Sequence, residues 1–518
     1  MDVKKIVIVG LDGGTWNIIF PLMEKGVLPT FKYLLENGCW GKLKSTIPPS
    51  TAPAWVSFAT GRNPGKHGVF DFVKLDKKQS KLKIITTEDI KTQTFYEYLD
   101  LKGLKTILIN IPMLYPLNLK NSIQVADMLA NDSDNLIIPT EIRNKYEKLL
   151  RKYKVYTEYT GDDIQFLTEI QNIEKNRFKL AKELFLKEDW DLFNIVFSGT
   201  DWISHRYFKI FNSNINNKLK NEILNFYKQL DDYLHFFKNN LPKNGFLFII
   251  SDHGFTETKS WFFINEYLKK HGLIKCEDII DKDKKSHKVS AKTIKVPSSI
   301  FKLFYKLIKT PILNKISIQT YNKFKKICGI KVERELMKID YSKSKAYCPT
   351  SQYGVYVNGI NKKFVVNLLK NASYNGEKII DKIWYKEEIY SGQFINSMPD
   401  LIFLPKKNIV VRSSLSGIIF LDNVWLKGHH DINGIFIAYG DEIKKNKKIE
   451  NAKILDLAPT VLYLFKLPIP KDMDGKVLND IFIEKSFDPI YVDDNYYSSE
   501  KEFLKSKIKR IKSKSKFL

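Results

Sequence analysis

Cysteine is scarce in this 518-residue chain, and the four present (Cys39, Cys276, Cys328 and Cys348) never stand in CxxC spacing. That scarcity argues against a disulfide framework or a cysteine metal site and fits a reducing compartment. No apolar run approaches the roughly 18 residues that a membrane span needs. The opening Met1-Asp-Val-Lys-Lys-Ile-Val-Ile-Val-Gly10 has too short an apolar stretch for a secretory signal and runs straight into a strand pattern, so a cytoplasmic protein is expected. A GxGxxG element is missing, which disfavours a dinucleotide-binding fold. Negative charge is missing from one long stretch: no acidic residue stands between Asp283 and Glu333, where thirteen Lys do.

What is present is ordinary in bulk and uneven in detail. With 43% hydrophobic and 27% charged residues the chain reads as globular, and its length allows a large core with more than one substructure. The net charge of +26 is concentrated: the last eighteen residues carry eight Lys or Arg against one Glu, and the acid-free stretch supplies most of the rest. The basicity therefore belongs to two appendages and not to the body. The expected organisation is a first part of a catalytic α/β core over 1–282, a basic amphipathic insertion over 283–338, cap elements with the remainder of the core over 339–485, and a basic tail over 486–518.

Phe246-Leu-Phe-Ile-Ile-Ser-Asp-His-Gly-Phe255 is five apolar residues ending abruptly in polar and turn residues. Such a run reads as a strand buried on both faces of a parallel sheet, and ligands bind just past the carboxyl ends of such strands. Asp252 and His253 stand at that spot, and Gly254 is expected to let the chain turn sharply there. The pattern recurs. Lys5-Ile-Val-Ile-Val-Gly-Leu-Asp-Gly-Gly14 ends a β-branched run in Asp12, and Leu192-Phe-Asn-Ile-Val-Phe197 is followed by Asp201. His205 lies four residues beyond Asp201, which on a helical turn shares its face. Lys427-Gly-His-His-Asp-Ile-Asn-Gly-Ile-Phe-Ile-Ala-Tyr-Gly440 places His429 and His430 just before another strand. Long helical stretches between these runs, one over about Lys218 to Phe237, predict α/β architecture with a largely parallel sheet.

Ser45-Thr-Ile-Pro-Pro-Ser-Thr-Ala-Pro-Ala-Trp55 fixes its backbone with three prolines, and Pro53 suits the first turn of a helix. Thr51 then sits at or just before a helix N-terminus, where its hydroxyl is either a cap or a nucleophile. Taken singly each residue has a bland role: Asp12 as a turn cap, His205 as a core histidine, His429 or His430 at the surface. Taken together, four of only eight histidines fall beside strand-end carboxylates.

The order of these motifs resembles the alkaline phosphatase superfamily, and within it the type I phosphodiesterase/nucleotide pyrophosphatase family. The resemblance rests on Gly-Leu-Asp12-Gly, Ser50-Thr51-Ala-Pro-Ala-Trp, Ala59-Thr-Gly-Arg-Asn-Pro-Gly-Lys-His-Gly68, Asp201 with His205, Ser-Asp252-His253-Gly-Phe, Gly428-His429-His430 ahead of Asn433-Gly-Ile, and Asp456-Leu-Ala-Pro-Thr followed by Met473-Asp-Gly475. It implies an alkaline-phosphatase-like α/β core with a cap insertion, and two divalent metals, zinc with manganese as the alternative. One metal would be held by Asp201, His205 and His430; the other by Asp12, Asp252 and His253, with Thr51 on it as nucleophile. His430 is preferred to His429 because it lies four residues before Gly434, the spacing the family shows. The implied activity is hydrolysis of phosphodiester or pyrophosphate bonds through a phosphothreonine at Thr51. The alternatives are a phosphomonoesterase, a transferase of phosphoryl or phospho-headgroup units, or a membrane- or nucleic-acid-associated protein that keeps the fold.

In one respect the chain departs from the family. Where many nucleotide pyrophosphatases carry an Asn three residues after the nucleophile, this sequence has Ala54, so backbone N–H groups, Arg62 or Lys66 are expected to meet the substrate's charge. The expected substrate is a phosphate-ester small molecule or a lipid headgroup. The Lys-rich segments, which interleave Phe301, Leu303, Phe304, Leu307 and Ile308 with Lys, suit peripheral contact with an anionic inner-membrane surface, with nucleic acid as the weaker fit.

Overall fold

The computed structural model describes residues 4–76, 81–130, 136–211, 218–278, 337–350, 353–424, 426–484, 487–493 and 496–497. The basic insertion, apart from its last two residues, and most of the basic tail lie outside the described residues. Among the described residues, no helix is long and apolar enough to cross a membrane.

A nine-stranded sheet organises the chain. Its strands, in chain order, are β1 (Ile6–Leu11), β2 (Cys39–Lys44), β3 (Thr106–Ile109), β4 (Ser122–Val125), β5 (Ile137–Ile138), β6 (Leu192–Phe197), β7 (Phe246–Ile250), β10 (Asn433–Tyr439) and β11 (Lys447–Ile449). A separate two-stranded ribbon is made by β8 (Gly254–Glu257) and β9 (Gly428–Asp431). The order across the large sheet is β11-β2-β10-β7-β1-β6-β3-β4-β5. The sheet is largely parallel, with β10 antiparallel to both its neighbours and β5 antiparallel to β4.

The central strand shows why an unbroken apolar run was needed. Every residue of β1 is buried, and its side chains alternate between two cores. Ile6 and Ile8 pack with α1 (Thr51–Thr60) and α5 (Leu457–Leu464). Val7, Val9 and Leu11 pack with α2 (Asp163–Lys187), α3 (Gly199–Phe211) and α4 (Lys218–Asn239) on the opposite face. Each fully buried side chain of this size contributes about 1.5–3 kcal/mol relative to exposure, so both faces of the strand must be apolar. A third core joins a four-stranded sheet, built from Ala346–Tyr347, Gly354–Val357, Ile380–Tyr385 and Leu401–Pro405, to the helices Ile264–Lys270 and Lys362–Lys370.

Five neighbouring strands discharge their connections at one edge. β7, β1 and β6 run parallel in register, with Ile6 opposite both Leu192 and Phe246, so their carboxyl ends lie side by side. β10 runs the other way between β7 and β2, so its start, Asn433, reaches the same edge opposite Lys44 at the end of β2. Asp12, Asp201, Asp252, the two histidines before β10 and the segment leading to Thr51 therefore meet there.

A candidate two-metal centre

Each element holds its side chain at that edge by identifiable means. Asp12 follows β1 directly; its N–H donates to the Phe197 carbonyl (3.0 Å), and its own carbonyl accepts from the Thr200 hydroxyl (2.5 Å). Asp201 sits in the first turn of α3, where a carboxylate suits the helix dipole, and His205 stands one turn on. Ser251 ties β7 to its surroundings, donating to the Gly14 carbonyl (2.8 Å) and accepting from the Ile435 N–H (2.7 Å). Thr51 is the first residue of α1, whose N-cap is Ser50 in extended conformation and whose C-cap is the left-handed Gly61. The cap reading of Thr51 therefore falls away: its hydroxyl stands 3.3 Å from His253 Nε2 instead.

The structure gathers the side chains into two clusters sharing a wall. Asp201 Oδ1 lies 3.4 Å from both His205 Nε2 and His430 Nε2, and those two nitrogens are 3.0 Å apart. His253 Nε2 lies 3.3 Å from Asp252 Oδ2 and 3.7 Å from Asp12 Oδ1. The His253 and His430 rings stack with centroids 3.7 Å apart, joining the two groups. Ligand atoms converge within metal-binding range in the sets Asp12–Asp252–His253 and Asp201–His253–His430, while His205 reaches the second through Asp201 and His430.

Register in the β8–β9 ribbon explains the choice between the adjacent histidines. His430 pairs with Phe255 and His429 with Thr256. Directly paired residues share a face and successive residues alternate, so only His430 joins Phe255 on the cluster side. His429 instead meets Tyr353 edge-on at 5.7 Å, and its Nε2 is buried without a partner. Phe255 is a component that sequence reasoning missed. It is fully buried and lies 4.9 Å from the His205 ring, 5.3 Å from His430 and 5.7 Å from His253. Its alternation with His253 was the only signal, and the register that puts it under three rings is tertiary.

The electrostatics of the clusters call for a cation. The Nδ1 atoms of His205, His253 and His430 face the carbonyls of Gly428 (3.2 Å), Gly254 (3.2 Å) and Pro49 (2.9 Å). A carbonyl only accepts, so each Nδ1 carries the proton and each Nε2 turns a lone pair toward the carboxylates. Asp12 Oδ1, Asp201 Oδ1 and Asp252 Oδ2 are buried and accept no hydrogen bond. Burial, and then the charges of Asp252 and Asp201, hold the Asp12 carboxyl well above its ordinary range, and burial pushes Asp252 up to about 7. Burial and then the neighbouring His430 hold the His253 imidazole far below its usual value. Among the described residues no Lys or Arg pairs with these carboxylates. Lone pairs and carboxylate oxygens turned on one another without intervening protons fit divalent cations, and the nitrogen and oxygen donors suit zinc or manganese.

Two expectations are corrected. Arg62 is not turned to the site: it forms a buried ion pair with Asp472 (Nε to Oδ2 2.6 Å) and also donates to the Thr60 and Gln93 carbonyls. Lys66 pairs with Asp474 (2.6 Å) and donates to the Asp472 carbonyl. Asp472 together with the Met473-Asp-Gly475 motif thus clamps the end of α1 and takes up the cations expected for substrate. Nor does Gly254 make a sharp turn; it opens β8, and a Cβ there would fall 2.0 Å from the Asn433 carbonyl oxygen. Close backbone approach, not left-handed geometry, requires glycine. Ala54 is fully buried and its N–H is used by the Ser50 carbonyl (3.0 Å), which leaves the N–H groups of Thr51 and Ala52 as the helix-start donors. The described cysteines, Cys39, Cys276 and Cys348, are free thiols.

Solved structures share this fold at low identity. A phosphonoacetate hydrolase from Sinorhizobium meliloti 1021 in complex with phosphonoformate superposes with a TM-score of 0.57 at 13% identity, covering 90% of this chain and 95% of the other. Human ectonucleotide pyrophosphatase / phosphodiesterase 5 gives 0.55 at 14% identity, covering 93% of this chain and 100% of the other. Its murine counterpart, bound to AMP in an inactive form, gives 0.52 at 13%, covering 90% and 95%. Among curated proteins none matches this chain significantly. The family model for type I phosphodiesterase / nucleotide pyrophosphatase matches residues 6–433, a span that holds both clusters and Thr51, and the chain belongs to that family of metal-dependent hydrolases.

Proposed function

We propose that this protein hydrolyses phosphodiester or pyrophosphate bonds through a covalent phosphothreonine at Thr51. The observation that carries the reading is the Thr51 hydroxyl, at a helix start and 3.3 Å from His253 Nε2, beside two buried carboxylate–imidazole clusters. Asp12, Asp252 and His253, with Thr51, would hold one divalent cation, and Asp201, His205 and His430 the other; zinc is the first choice. When bound, such a pair neutralises the carboxylates and the charge that develops on phosphate, and makes a threonine hydroxyl reactive near neutral pH.

The chain's own part is positional. Thr51 Oγ1 loses its proton to solvent and forms a new P–O bond while the ester P–O bond on the opposite face breaks. The departing oxygen takes a proton from water. A water molecule then cleaves the phosphothreonine, restoring the hydroxyl and releasing the phosphomonoester. The N–H groups of Thr51 and Ala52, with the α1 dipole behind them, favour the phosphate oxygens during both steps. The cap elements between about 265 and 425 would shape the substrate pocket, and the basic segments 283–338 and 486–518 would bring the protein to an anionic membrane surface from the cytoplasm.

The test is turnover of an aryl phosphodiester by metal-loaded protein. Chelation and Thr51→Ala should each abolish it, and full activity in Thr51→Ala ends this mechanism. Faster turnover of matched monoesters, or product captured by added alcohols, would favour the phosphomonoesterase or transferase reading. Salt-sensitive pelleting with phosphatidylserine vesicles tests the membrane contact, and no pelleting at low salt removes it.

A further inference from the structure

The substrate of such a site is an anion, yet the two cations expected to meet it are engaged elsewhere. Arg62 belongs to Asp472 and Lys66 to Asp474. A different cation stands unclaimed among the described residues. Arg412 ends the strand Ile409–Arg412, in parallel register with Ser260–Phe263, and is half-buried. Its guanidinium carbon lies 4.3 Å from the centroid of the Trp261 ring, a cation–π contact on a small apolar cluster of Trp261, Phe263, Val410 and Val424. Among the described residues, no carboxylate, carbonyl or hydroxyl accepts from it.

The platform is anchored close to the metal clusters. The strand carrying Trp261 begins two residues after β8 ends. Between them Thr258 N–H donates to the Lys427 carbonyl (2.9 Å), and Lys427 N–H donates to the His205 carbonyl (2.8 Å). Gly428 then presses on α3, where a Cβ would fall 2.1 Å from the Ser204 carbonyl oxygen, so the strand pair carrying Trp261 and Arg412 is linked through backbone contacts to the helix that carries His205. Burial holds the Arg412 guanidinium below its ordinary value.

A half-buried guanidinium loses hydration that one aromatic face only partly replaces. Its planar fork of donors fits a phosphate or carboxylate in bidentate fashion. We propose that Arg412 binds a second anionic group of the substrate, beyond the phosphorus that Thr51 attacks, and so selects doubly charged phosphodiesters or pyrophosphates over singly charged diesters. This rests on the phosphodiesterase reading above and adds the class of substrate.

The test compares propyl p-nitrophenyl phosphate with the same diester bearing a terminal phosphate on the propyl chain. Wild-type, metal-loaded protein should favour the doubly charged diester. In Arg412→Gln the ratio of the two kcat/KM values should fall about ten- to a hundred-fold, the range for losing a charge-assisted contact, and Arg412→Lys should recover part of it. An unchanged ratio in Arg412→Gln overturns the assignment. Wild-type protein that turns over neither diester would instead overturn the phosphodiesterase reading. A readout independent of turnover is thermal stabilisation by sulfate, which should be smaller in Arg412→Gln than in wild type; equal stabilisation counts against Arg412 as an anion site. Should Arg412→Gln fail to fold, Trp261→Leu, which removes the platform, should lower the same ratio, and an unchanged ratio there also overturns the proposal.

Discussion

His67 shows how a single side chain can be committed to one protonation state. It is fully buried, its Nδ1 accepts from the Val69 N–H (3.2 Å), and its Nε2 is 2.8 Å from the Ser57 hydroxyl. Nδ1 is thereby an acceptor, the proton sits on Nε2, and a second proton would set two N–H groups against each other. Burial, and then the charge of Arg62, lower its pKa from 6.5 to about 3. Between those values the unfolded chain binds the extra proton, so stability rises with pH through this window and falls as the pH drops below 6.5. By about pH 5 the loss from this residue should approach about 2 kcal/mol relative to neutral pH. Urea midpoints at the two pH values should show a smaller acid-side loss in His67→Gln than in wild type; equal losses would contradict this. Thr51, sixteen residues earlier, differs: its hydroxyl caps no helix and stands 3.3 Å from His253 Nε2.

At the scale of elements, the β8–β9 ribbon sets which side chains face the candidate metal clusters. Gly254 faces Asp431 with no room for a side chain, and Phe255 faces His430. Gly254→Ala must push β8 away from the Asn433 carbonyl, an overpacking expected to cost about 3 kcal/mol or more. Because Asp252 and His253 immediately precede the strand, metal affinity should weaken together with chemical stability. Denaturation and metal titration of the variant would check both, and an unaltered metal affinity would show that the ribbon does not position the clusters. The same ribbon explains why two neighbouring histidines differ in surroundings. Alternation along a strand turns one of them to the clusters and the other to Tyr353.

At the scale of the molecule, two couplings hold distant parts of the chain together. The Arg62–Asp472 pair ties the end of α1 to the segment beyond α5, with Arg62 only 3% exposed. Asp472→Ala leaves a buried guanidinium without its anion, and chemical denaturation should register a loss of about 3–5 kcal/mol. The second coupling is the pair of candidate metal clusters, whose side chains come from α3, from β9 and from just beyond β1 and β7. A cation that binds only the folded chain should raise stability by about 3 kcal/mol at a hundredfold excess over its Kd. Zinc or manganese should therefore raise the melting temperature, chelation should lower it, and Asp252→Asn should lose much of the rise along with turnover. If Asp252→Asn keeps both, the cluster is not a metal site.

The amino-acid sequence by itself determined the buried strands and the polar residues at their ends. Unbroken apolar runs can only be satisfied between two cores, and Asp12, Asp201, Asp252 and His253 stand just beyond where such runs stop, whereas Thr51 follows a segment fixed by prolines. It also carried the order of motifs that marks the family. Only tertiary structure decided what those residues face. Sheet order brings five strand ends to one edge, ribbon register turns His430 toward the clusters and places Phe255 beneath three imidazoles, and the segment from Asp472 to Gly475 claims Arg62 and Lys66. Arg412 was illegible because a lone arginine in a short strand says nothing until its neighbours are known to include Trp261 and, among the described residues, no carboxylate. Periodicity is a local property and survives in the sequence, whereas partnership between residues hundreds of positions apart is settled by packing.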